Sequence, residues 1–215
     1  MRNLLFLFVV LFSFGCPKIN SQKTSFTTSS KNITLENIWD GTFSTQRMNA
    51  LNSMNGDFYS LLNFDRKNNA TTIDIYSYKT LEKVKTLVNS NMIDGLAGFS
   101  SYRFNNNETK LILGTNFKKI YRRSFKGTFY AYDITSKKVS QIGKNIQEPV
   151  FSPDNKKVAY VKDNNIFIKN LLTNKVTQIT KDGKRNQIIN GITDWVYEEE
   201  FGFVRAFEWS NDSKN

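Results

Sequence analysis

The chain has 215 residues, of which 39% are hydrophobic and 14% aromatic. That is enough to fill one or two folded domains and excludes wholesale disorder. The formal net charge is +11, but the lysines are scattered among asparagines, isoleucines and phenylalanines. With no dense basic run, the charge reads as a solvated surface, and no nucleic acid is expected as a partner. Histidine is absent and cysteine occurs once. No Ser-His-Asp or Cys-His site can be completed within these residues, and a zinc site is disfavoured. No catalytic residue, metal or cofactor is therefore assigned to the chain.

The N-terminus reads as an export signal. Met1-Arg-Asn3 is a short positive start, and residues 4–14 are an almost unbroken apolar run. The run is too short to span a bilayer comfortably and fits the apolar centre of a signal peptide. Two cleavage points compete. One lies near Ser21-Gln22, making residues 1–22 the signal and 23–45 a lead-in segment. The other is Gly15-Cys16, which would leave Cys16 as a lipid anchor, although Ser13 is a poor fit for that site. Either way the protein is expected to be exported, to the periplasm or cell surface or into the medium. Cleavage after Cys16 leaves no cysteine, so no disulfide would stabilise the mature chain.

The next elements repeat. Thr72-Ile-Asp-Ile-Tyr-Ser-Tyr78 is followed by Val84-Lys-Thr-Leu-Val88. Thr128-Phe-Tyr-Ala-Tyr-Asp-Ile134 is followed by Val139-Ser-Gln-Ile142, and Asn165-Ile-Phe-Ile-Lys-Asn-Leu171 by Val176-Thr-Gln-Ile179. Each is an alternating apolar and polar run bounded by turn residues, which reads as strand pairs. The copies open alike: Phe104-Asn-Asn-Asn-Glu-Thr-Lys, Phe151-Ser-Pro-Asp-Asn-Lys-Lys and Trp209-Ser-Asn-Asp-Ser-Lys, 47 and then 58 residues apart. In the first two an apolar strand begins seven residues after the aromatic, at Leu111 and Val158.

Units of about 40–50 residues built from short strands are the mark of β-propeller blades. An apolar period near two excludes a helical solenoid. A β-sandwich would explain the strands but not the recurring aromatic turn. The expected fold is all-β: a partial β-propeller over residues 46–215, with about three blades near 46–92, 93–146 and 147–206. A fourth starts at Phe207-Glu-Trp-Ser. A chain halting inside a repeat would leave an open edge, so the sequence reads as the N-terminal part of a longer protein.

Two stretches break the repeat. The copy spanning residues 104–142 is ten residues longer than the one spanning 151–179, and the excess falls around Phe117-Lys-Lys-Ile-Tyr-Arg-Arg-Ser-Phe-Lys-Gly127, an extended basic hairpin tip. The other is Asn190-Gly-Ile-Thr-Asp-Trp-Val-Tyr-Glu-Glu-Glu-Phe-Gly202. Thr193 or Asp194 can cap a short helix here, and the glutamates suit its first turns. Trp195, Val196 and Tyr197 are expected to dock on the propeller while the glutamates point away. Taken as charges alone, Glu198 to Glu200 are a solvated patch, and Arg122 and Arg123 are ordinary hairpin cations. Adjacent carboxylates held rigidly beside a cavity would instead bind a primary ammonium, whose three donors match carboxylate acceptors.

The stretch Asn190-Gly-Ile-Thr-Asp-Trp-Val-Tyr-Glu-Glu-Glu-Phe resembles the glutamate motif of the dipeptidyl peptidase IV family, which sits on a short helix inserted in the propeller. Tyr121-Arg-Arg-Ser124, with the strand ending Tyr132-Asp-Ile134, resembles that family's other substrate-facing segment. The resemblance extends to Ile33-Thr-Leu-Glu-Asn-Ile-Trp39. Position by position, it implies that Glu199 and Glu200 hold the N-terminal ammonium of a peptide and that Arg122 contacts its carbonyl near the N-terminus. Glu198 matches a position without that direct role, and the family varies at Arg123.

The resemblance further implies an eight-bladed propeller followed by an α/β-hydrolase domain, absent here, that supplies a Ser-Asp-His triad. Gly98-Phe-Ser-Ser-Tyr102 lacks the second glycine of a nucleophile elbow. The implied reaction is release of N-terminal dipeptides with proline or alanine second, by an enzyme that is a homodimer at full length. Residues 1–215 alone are expected to be inactive. The competing readings are a secreted propeller used only for binding and a cell-surface propeller recognising glycans or proteins.

Overall fold

The computed structural model describes residues 33–44 and 51–214. The signal region, Cys16 and most of the lead-in segment lie outside the described residues. The chain divides into two compact units, residues 1–46 and 47–215. In the first, helix α1 (Leu35–Trp39) is a single turn closed by a capping box, in which the Thr34 hydroxyl accepts the Asn37 amide and the Asn37 side chain accepts the Thr34 amide.

The second unit is a run of antiparallel meanders. Strands β1 (Asn52–Ser53), β2 (Phe58–Asp65), β3 (Ala70–Ser77) and β4 (Lys83–Asn89) pair in sequence order as a four-stranded sheet. The remaining strands are β5 (Ser101–Phe104), β6 (Lys110–Lys119), β7 (Phe125–Asp133), β8 (Val139–Phe151), β9 (Lys157–Lys162), β10 (Asn165–Asn170) and β11 (Val176–Gln178), and they also pair in order. This longer array is two blades joined through β8. Residues up to Ile146 pair with β7, and residues from Gln147 pair with β9. Asn145 and Glu148 take positive φ values of 55° and 48° at the handover, so one continuous strand bends from the outside of one blade to the inside of the next. Register shifts mark the strand as bulged on both sides of the handover.

Burial explains the repetition. Successive residues of a strand face opposite sides of its sheet. On β6, Leu111 and Leu113 pack with Ile73, Val88, Phe99 and Tyr132 of one core, while Ile112 between them packs with Phe129, Ile146, Phe151 and Val158 of the other. The middle blade thus buries both faces, one against each neighbour. At Gly114 an added Cβ would lie 2.4 Å from Ser101 Oγ and 2.6 Å from Phe117 Cζ. Glycine lets the Phe117 ring fold over the base of the hairpin.

The recurring aromatic turn joins blade to blade. Within each turn a short polar side chain holds the loop. Asn105 accepts the amides of Thr109 and Lys110, Ser152 bonds Asp154 and the Lys157 amide, and Ser210 bonds Asp212. Each turn then reaches its neighbour. The Asn55 amide donates to Glu108 at 2.7 Å, and the Asp154 amide donates to Ser213 at 2.9 Å. Lys157 donates to the Ser213 carbonyl and stands over the Trp209 ring. Residues 209–214 therefore repeat the turn and take the neighbour's place beside the third blade.

One ion pair on the middle blade gives a pH prediction. Lys110 bonds Asp133, and with the Ser136 amide it holds the Asp133 carboxyl at about 2. Because the folded value lies below the ordinary one, this stabilisation is present above the unfolded pKa and is lost as pH falls through the folded one. Urea midpoints of the parent and Asp133→Asn should differ near neutrality and converge as pH drops from about 4 towards 2.

Candidate functional site

The hairpin and the helix that break the repeat meet. The β6–β7 hairpin continues past its blade, with Lys118 opposite Lys126 and Lys119 opposite Phe125 beyond a register shift after Thr115. Residues 120–124 close its tip, where the Ile120 amide donates to the Ser124 carbonyl and the Tyr121 amide to the Ser124 hydroxyl.

Helix α2 (Trp195–Phe201) stands on a short antiparallel stem in which Ile192 bridges Arg205 and the Thr193 amide donates to the Val204 carbonyl. Asp194 is the N-cap, accepting the Tyr197 amide at 3.1 Å. Gly202, at φ 74°, is the left-handed C-cap. Gly191 fits the stem onto the third blade: at φ +78°, an added Cβ would lie 2.7 Å from both Ile166 and Val161 side chains.

The orientation of α2 corrects the sequence expectation. Trp195, Val196 and Tyr197 are each about half exposed, at 54%, 49% and 49%, and do not form the docked face. The residue that docks is Glu198, only 1% exposed. Its Oε1 accepts the Arg123 amide at 2.5 Å and the Ser124 amide at 3.0 Å. Burial pushes the Glu198 carboxyl up, but the Ser124 hydroxyl and these two amides outweigh it and hold the group below its ordinary value. A carboxylate sinks here because the tip presents unpaired backbone donors, which apolar side chains cannot satisfy.

Glu199, the next residue, forms an ion pair with Arg122, with Oε2 3.3 Å from Nη1. The Glu199 side chain is 16% exposed and that of Arg122 is 72% exposed. Glu200 is exposed and makes no hydrogen bond or ion pair among the described residues. The structure thus joins Arg122 and Glu199 and leaves Glu200 beside them with its carboxylate free. Arg123 contributes backbone, and its side chain is exposed. An open cleft of about 1170 Å³ adjoins the tip and the start of α2, lined by Lys118, Lys119, Lys126, Lys184 and Arg185 against Asp163 and Asp194. Glu199 and Glu200 do not line it. Among the described residues no group of histidine, cysteine, aspartate or glutamate side chains could hold a metal ion, and no helix is long and apolar enough to cross a membrane.

The sequence reading missed Glu198. The signal for it was geometric: at about 100° per residue, Glu198 falls only about 60° from Trp195 around the helix, so the apolar triplet and the three glutamates cannot form opposite faces.

A partial β-propeller whose two insertions bring an arginine against a helix-borne pair of carboxylates is the class of protein defined here. The family model "Dipeptidyl peptidase IV (DPP IV) N-terminal region" matches residues 105–215, and the chain belongs to that family. Prolyl endopeptidase FAP of Bos taurus is 34% identical over 186 residues, covering 85% of this chain and 23% of its own. A probable dipeptidyl-aminopeptidase B of Podospora anserina is 37% identical over 109 residues, covering 48% of this chain and 12% of its own. The crystal structure of Porphyromonas gingivalis dipeptidyl peptidase 4 matches with a TM-score of 0.74 at 34% identity, over 85% of this chain and 26% of that one. The chain therefore spans about a quarter of the length of the Bos taurus and Porphyromonas gingivalis relatives.

Proposed function

We propose that the chain is the substrate-anchoring propeller part of an exported, serine-type dipeptidyl peptidase that releases dipeptides with proline or alanine second. The observation that carries this reading is the meeting of Arg122 with Glu199 across two separate insertions, with Glu200 free next to it. A peptide's ammonium has three donors and needs acceptors on more than one side. Glu199 and Glu200 supply them from one rigid helix. Arg122, already oriented by Glu199, can donate to the first carbonyl of the same peptide. Fixing the amino end in this way sets how far the chain reaches, so the bond after the second residue meets a nucleophile. With no histidine in these 215 residues, the Ser-Asp-His triad belongs to an α/β-hydrolase domain elsewhere in the full-length protein. Export by the N-terminal signal, cleaved either near Ser21-Gln22 or before a lipid-anchored Cys16, and a full-length homodimer complete the proposal.

The test is product analysis. Full-length protein incubated with peptides carrying proline or alanine second should release intact dipeptides by mass spectrometry, and a fluorophosphonate should abolish the release. Binding without cleavage would favour a non-catalytic propeller, and internal fragments without dipeptides would contradict the anchor.

A further inference from the structure

We propose that Glu198 is a positioning residue, whose buried carboxylate sets the distance between Arg122 and the two anchoring carboxylates; this rests on the reading of Arg122, Glu199 and Glu200 as the anchor. Arg122 lies at the apex of the hairpin, where few bonds define its place. Residues 120–124 are held by one backbone bond and by the Ser124 hydroxyl. What ties this apex to α2 besides the exposed Arg122–Glu199 pair is Glu198, through the amides of Arg123 and Ser124 and the Ser124 hydroxyl.

The placement is specific. The clamped amides immediately follow Arg122, and the clamping side chain immediately precedes Glu199. One carboxylate therefore fixes both backbones one residue away from the groups that would touch the substrate. The ion pair cannot do this alone, because Arg122 is 72% exposed, and a long exposed side chain is weakly held by one partner. Among the described residues, Glu198 is one of the largest fully buried side chains, in a set that is otherwise aliphatic residues and serines. A full charge is kept there because two successive amides and a hydroxyl converge on it. Its reach lets it cross from the helix to the hairpin amides.

The experiment uses the full-length protein with Glu198→Ala and Glu198→Gln. In Glu198→Ala, amide hydrogen exchange should accelerate at residues 120–124 and α2 while the blades keep the parent's protection. KM for a free-amine Xaa-Pro chromogenic amide should rise by about 10- to 100-fold, the scale of a small misplacement of binding groups, and should rise by more than kcat falls. Glu198→Gln keeps an acceptor oxygen at the same reach and should recover most of both changes.

Exchange that accelerates throughout the blades, with Glu198→Gln as damaged as Glu198→Ala, would make the residue one of overall stability and overturn the proposal. Local loosening with an unchanged KM would overturn it as well. Failure of the underlying anchor shows separately, as an unchanged KM in Glu199→Gln and Glu200→Gln with the Glu198→Ala exchange effect intact. That result removes the proposal together with the anchor.

Discussion

In the full-length protein, Glu199→Ala and Glu200→Ala should each lower kcat/KM for dipeptide release by about 10- to 150-fold, since a hydrogen bond to a charged group contributes about 1.5–3 kcal/mol. The two losses should not be equal. Glu200 makes no hydrogen bond or ion pair among the described residues, so its removal should take away substrate binding alone. Glu199 also holds Arg122, so its removal loosens a second substrate contact and should fall at the larger end of the range. Neither change should unfold the insertion. Helix α2 is specified by the Asp194 cap, the left-handed Gly202, the 192–205 stem and the buried Glu198. Steady-state kinetics beside circular dichroism of each variant checks both statements.

Leu111→Ala should destabilise the chain by about 2.7–5 kcal/mol, the range found for burying a cavity in place of a leucine. Leu111 is fully buried at the centre of the core shared by the first two blades, against Ile73, Val88 and Tyr132. A pleated sheet held on both sides has little freedom to collapse into the space. Leu81→Ala, at a position 70% exposed in the β3–β4 turn, should move the denaturation midpoint by less than about 0.5 kcal/mol. Urea denaturation of both variants beside the parent measures the contrast.

The residues show which parts of this structure could be read in advance. The unbroken apolar run Leu111-Ile112-Leu113 is a local property, and on a strand it announces a sheet buried on both faces before any fold is known. The start of α2 was legible to within a residue, because a Thr193 or Asp194 cap acts on its own first turn, and Asp194 is the one that caps. The phase of the helix was not. Composition favoured Trp195, Val196 and Tyr197 as the docked face, but the surface that receives the helix is the hairpin tip, whose free amides select a carboxylate. A local reading cannot weigh donors supplied by residues some seventy positions earlier in the chain.

The same holds for the turns. Their recurrence was visible, but the bonds from Asn55 to Glu108 and from Asp154 to Ser213 exist only once the blades stand side by side. The course of β8 was hidden for another reason. Gly143-Lys-Asn145 has turn composition, and only the pairing with both β7 and β9 keeps the strand running through it.

The central claim is that Glu199 and Glu200 recognise a positive amino end, and a cycle between enzyme and substrate charge tests it most directly. kcat/KM is measured for one peptide with a free and with an acetylated N-terminus, on the parent and on the Glu199→Gln, Glu200→Gln double variant. If the carboxylates hold the ammonium, acetylation costs the parent heavily and costs the double variant almost nothing, so the two changes are strongly non-additive. Equal losses from acetylation in both proteins would contradict the claim.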